Sequence, residues 1–137
     1  MAVNTKTEYA LRILLELSEA QKMSAQKMCD AQQLSKKYIE HLLAHLKSAG
    51  IVNSSPGSKG GYVLAKDLTD ISFLDLLKAM EDNSFNAACD LDSQRSCMGE
   101  GCNLTVFFDI LGHRLHEVFA SYTLADVKRV WKEGKLS

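Results

Sequence analysis

Three cysteines stand close together in this sequence, spaced Cys89-x7-Cys97-x4-Cys102. Thiolates are soft ligands that suit iron–sulfur clusters, Zn²⁺ and Cu(I). The spacing fits none of the common zinc patterns, which pair cysteines about two to four residues apart. A structural zinc would also want a fourth ligand, and the next candidates, His113 and His116, fall in a helical stretch further on. The polar N-terminus has no leader-like apolar segment, and no apolar run approaches the ~18 residues of a membrane span. A cytoplasmic chain is expected, where clustered thiols serve metal or redox chemistry rather than structural disulfides. Cys29 lies apart and reads as a small buried residue.

A second group of residues carries charge. Net charge is −1, but its distribution is uneven. Residues 1–66 hold nine Lys/Arg against five acids, whereas residues 67–137 hold seven against twelve. A basic half and an acidic half suggest that one half faces a polyanion. The bases of interest are Lys36 and Lys37, beside Ser35, Tyr38, Glu40 and His41, and Lys59, beside Gly60 and Gly61.

The elements that must position these residues follow from periodicity and capping. Thr5-Lys6-Thr7-Glu8 has the form of a capping box opening a first helix, which places Glu8 in a capping role. Ser24 caps a short second helix. Ser35 caps a third, whose Tyr38, Ile39, Leu42, Leu43 and Leu46 form one apolar stripe. Gly50 and Ile51 suit its C′ and C″ positions. Two β-prone runs around Pro56-Gly57-Ser58-Lys59-Gly60-Gly61 predict a hairpin. Helix, helix, turn, helix, hairpin is the order of a winged helix-turn-helix. The recognition helix then presents Ser35, Lys36, Lys37, Tyr38 and His41 at its N-terminal end to bases and phosphates. Lys59 sits at the wing tip, and Gly60 and Gly61 would let backbone approach DNA closely.

A fourth helix opens at Ser72. Residues 83–103 lack any period. A long helix then spans about 104–122, with more apolar surface than one core contact needs, which predicts a partner chain. A last helix is capped at Thr123. The fold class expected is mostly α with a small β-hairpin: a winged helix-turn-helix at 1–82, a cysteine-bearing sensor loop at 83–103, and a dimerisation helix plus C-terminal helix at 104–137.

The stretches Leu34–Leu43, Leu46–Val52, Gly60–Ala65, Ile71–Glu81 and Thr123–Val127 together resemble the Rrf2 family of bacterial transcription regulators, across essentially the whole chain. The resemblance implies a cytoplasmic winged-helix homodimer on a palindromic double-stranded DNA operator, with long C-terminal helices at the interface. It implies that Ser35, Lys37 and Glu40 face bases or phosphates. It also implies an iron–sulfur cluster, 2Fe–2S or 4Fe–4S, on Cys89, Cys97 and Cys102. In some members an acid on the first helix of the other subunit completes the site, and the matching residue is Glu8. In others a histidine three residues past the last cysteine does so, and Thr105 occupies that position. Two departures stand out. The cysteine spacings are seven and four where members commonly have five, and Pro56 replaces an arginine frequent at the wing start.

The function expected is a DNA-binding regulator, a repressor gated by its cluster. The alternatives are a metal-free thiol or small-ligand sensor on the same frame, and a zinc-stabilised interaction module. An enzyme is not expected, because no histidine stands beside a loop cysteine and no phosphate-binding glycine motif follows a strand.

Overall fold

The computed structural model describes residues 3–85 and 103–135. Helices α1 (Thr5–Ala20), α2 (Ala25–Gln32) and α3 (Lys36–Ser48) are followed by strands β1 (Val52–Ser55) and β2 (Gly61–Leu64). A 3₁₀ turn at Leu68–Asp70 leads into α4 (Phe73–Ala79), and α5 (Leu104–Ser121) and α6 (Leu124–Glu133) complete the described chain. The hairpin pairs Val52 with Leu64 and Ser55 with Gly61, antiparallel.

Local chemistry explains most boundaries. Ser24 and Ser35 accept the backbone N–H of Lys27 and Tyr38, as N-caps should. Ser72 with Asp75 and Thr123 with Asp126 form complete capping boxes. The end of α3 is a Schellman motif: Gly50 has φ +74°, Ile51 N–H donates to Leu46 O, and Gly50 N–H donates to Lys47 O.

The start of α1 corrects the expected capping box. Asn4 is the N-cap and accepts from Lys6 N–H at 2.9 Å. Glu8 instead pairs with Arg12 one turn on, at 2.6 Å, with both side chains about half exposed. Asn4 and Thr5 can both cap; Asn4 wins because its own N–H is also held by Asp82 Oδ2 at 2.9 Å. That partner lies far along the chain and leaves no local signal.

The core joins Ile13, Leu14 and Leu17 of α1, Met28 of α2, Leu42, Leu43 and Leu46 of α3, Leu76 of α4, and Leu124 of α6. The hairpin is fastened to this core by two backbone bonds between Met23 and Tyr62. Leu124 N–H donates to Ile71 O, and Phe73 N–H donates to Tyr122 O. Lys128 and Lys132 both reach Glu19 at the end of α1, at 3.2 and 3.0 Å.

Helix α5 differs from the rest. Phe119 is its buried residue, meeting Phe73 and Phe85 at ring separations of 5.7 and 4.8 Å. Val106, Phe107 and Ile110 are each more than half exposed, and Phe108, Leu111 and Val118 are exposed as well.

Candidate nucleic-acid interface and sensor site

The first turns of α3 form a polar surface. Ser35, Lys36, Lys37, Glu40 and His41 are exposed, whereas Tyr38 is half-buried. Tyr38 turns inward and meets Tyr9 of α1 edge-on at 6.1 Å. No ion pair among the described residues involves Lys36, Lys37 or Lys59, so their charges remain available to a polyanion. His41 stacks edge-on against His45 one turn along, with ring centroids 4.8 Å apart. Lys47 Nζ donates to Ser54 Oγ at 2.8 Å and ties the far end of α3 to β1.

The wing glycines have an internal reason for being glycine. A Cβ on Gly60 would fall on the Ser55 carbonyl oxygen, and one on Gly61 would stand 2.8 Å from Met23 O. The first condition closes the hairpin turn, and the second lets β2 press against the segment before α2. Lys59 is exposed on that turn.

Glu8 lies in the first turn of α1, exposed, with Arg12 as its partner. The Arg12 guanidinium also stands 5.2 Å from the Tyr9 ring centroid. Cys89, Cys97 and Cys102 lie outside the described residues. Among the described residues, no group of three His, Cys, Asp or Glu side chains is placed to hold a metal. Cys29 is buried in α2, as a packing residue would be.

The residue the sequence did not disclose is Asp82. It is 8% exposed. Its Oδ2 accepts from Thr7 Oγ1 at 2.6 Å and from Asn4 N–H, and its Oδ1 accepts from Ser84 N–H at 3.0 Å. Burial works against its charge, but the donors from Ser84, Thr7 and Asn4 outweigh burial and hold the carboxyl below its ordinary range. An anion at a helix N-terminus is further favoured by the helix dipole.

A family model described as an iron-dependent transcriptional regulator, Rrf2, matches residues 3–129. The chain belongs to the Rrf2 family. Similar Rrf2 relatives include the protein rrf2 of Nitratidesulfovibrio vulgaris, 28% identical over 94% of this chain and 88% of the relative. A putative HTH-type transcriptional regulator of Synechocystis is 31% identical over 98% of this chain and 95% of the relative. Among solved structures, T. potens IscR superposes with a TM-score of 0.73 at 26% identity, covering all of this chain and 93% of that one. CymR of Bacillus subtilis, titled its global cysteine regulator, gives 0.69 at 27% identity over 93% of this chain and 96% of that one. The Rrf2 fold is thus the winged helix expected, and Rrf2 members are transcription regulators rather than enzymes. No described helix is long and apolar enough to cross a membrane.

Proposed function

We propose that this Rrf2 protein is a homodimeric repressor whose hold on a palindromic operator is gated by an iron–sulfur cluster. Cys89, Cys97 and Cys102 supply three thiolates, and Glu8 of the partner subunit supplies the fourth ligand. The observation that carries this reading is the state of Glu8. Asn4 and Asp82 do the capping, so the Glu8 carboxylate is exposed and, among the described residues, held by a surface pair with Arg12. Such a pair is worth about 0–1 kcal/mol and yields readily to a metal. A carboxylate and three thiolates suit an iron–sulfur cluster, which supplies redox and ligand sensitivity when bound.

The DNA-binding residues in this reading are Ser35, Lys36, Lys37, Tyr38, Glu40 and His41 on α3, with Lys59, Gly60 and Gly61 in the wing. The exposed lysines neutralise phosphates. Glu40 and His41 are placed one turn in, where base edges are read. Tyr38 acts from behind by fixing α3 against Tyr9. The apolar face of α5 forms the dimer interface, because a free helix exposing this much aromatic and aliphatic surface would associate.

The test is to purify wild type, Cys97→Ala, Glu8→Ala and Cys29→Ala without oxygen and to measure iron, sulfide, visible absorption and operator affinity. Wild type and Cys29→Ala should be brown and switchable, Cys97→Ala colourless, and Glu8→Ala labile. A Cys97→Ala protein with full iron overturns the reading. A second reading, a metal-free thiol sensor, is supported by the likeness to the CymR structure. Colourless wild type whose operator affinity follows thiol oxidation would establish that reading instead.

A further inference from the structure

The carboxylate of Asp82 connects two places that matter to this function. Helix α4 ends in a Schellman motif: Glu81 N–H donates to Lys78 O and Asp82 N–H to Leu77 O. The left-handed position is filled by Glu81, at φ +52°, not by glycine. This turn aims Asp82 back across the domain at the N-terminus of α1. There it holds Asn4 and Thr7 with one oxygen and Ser84, on the approach to the cysteine-bearing stretch, with the other. Thr7 is fully buried, so its hydroxyl has no access to water in exchange. The next residues are Glu8 and then Tyr9, which braces Tyr38 in the first turn of α3. A continuous chain of contacts thus runs from the root of segment 83–103, through Asp82 and the first turn of α1, to the DNA-facing end of α3.

We propose that Asp82 is a positioning residue that couples the state of the cysteine-bearing segment to the recognition helix, through Thr7 and α1. This inference rests on the cluster-gated reading above. A shift at Ser84 changes what Asp82 Oδ1 can reach. The other oxygen then loses its fixed hold on Asn4 and Thr7, and Tyr9 no longer braces Tyr38 in one place. Allosteric coupling of this kind requires a differential interaction at each end, and the two oxygens of Asp82 each contact one of the ends to be linked.

The experiment uses full-length protein in cofactor-loaded and cofactor-stripped forms and measures operator affinity in each. The readout is the loaded-to-stripped affinity ratio in wild type, Asp82→Asn, Thr7→Val and Thr7→Ser. Amide hydrogen exchange at residues 4–9 is followed in parallel. Wild type should show a ratio on the order of tenfold. Asp82→Asn and Thr7→Val should bring the ratio to within about twofold of unity, in proteins that still melt cooperatively and bind operator in the stripped form. Thr7→Ser, which restores the hydroxyl, should recover the wild-type ratio. A merely structural role would lower stability and leave the ratio alone. A wild-type ratio well above one that persists in both Asp82→Asn and Thr7→Val overturns this inference and spares the cluster reading. A wild-type ratio of one overturns the cluster reading, and this inference with it.

Discussion

At the scale of single residues, charge that is left unpaired and charge that is fully used divide the labour. Lys36, Lys37 and Lys59 are exposed and make no ion pair among the described residues. Each phosphate contact they supply should contribute about 0.9 to the slope of log K against log salt. The triple alanine variant should therefore bind operator more weakly and with a visibly shallower salt dependence in fluorescence anisotropy titrations. An unchanged slope would place the DNA surface elsewhere. Asp82 is the opposite case, a carboxylate whose every role is internal. Its folded pKa is lowered, so its stabilisation is present above the ordinary value of 3.8 and is lost as pH falls through the lowered one. Asp82→Asn should cost about 1–3 kcal/mol near neutral pH, since it leaves buried donors badly paired. Denaturant titrations should show that gap closing in strongly acid solution, and a gap independent of pH would contradict the assignment.

At the scale of elements, the wing and the long helix make separate claims. Gly60→Ala would drive a methyl group into the Ser55 carbonyl. It should destabilise the hairpin by about 1–3 kcal/mol and weaken operator binding, whereas Lys59→Ala should weaken binding without lowering the melting temperature. Leu111→Asp on the exposed face of α5 should give a monomer by analytical ultracentrifugation, and a dimer surviving at micromolar concentration would move the interface. The elements themselves were legible in sequence because their signals are local. Ser24, Ser35, Ser72 and Thr123 cap as expected, and Gly50 ends α3 as expected. What could not be read was non-local. The choice of Asn4 over Thr5 depends on Asp82, and the glycine requirement at Gly61 depends on Met23. The same limit applies to the candidate site. The lysines announce themselves by type and place. The freeing of Glu8 from capping is visible only once Asp82 is brought across the fold.

At the scale of the whole molecule, early and late helices of the described chain are built into one core. Leu124 is fully buried among residues of α1, α3 and α4. Its N–H is spent on Ile71 O, and the following helix is clasped to Glu19 by Lys128 and Lys132, which hold that carboxyl below its ordinary range. The winged-helix body is thus assembled from two stretches of sequence, with the cysteine segment and α5 inserted between them. An insertion of this kind is held at both of its ends by the body it interrupts. A load on it is borne across that body rather than at a free tail, and residues 1–82 alone would leave a hole where the buried Leu124 belongs. Melting should accordingly run as a single transition, with recognition and sensing lost together rather than in sequence.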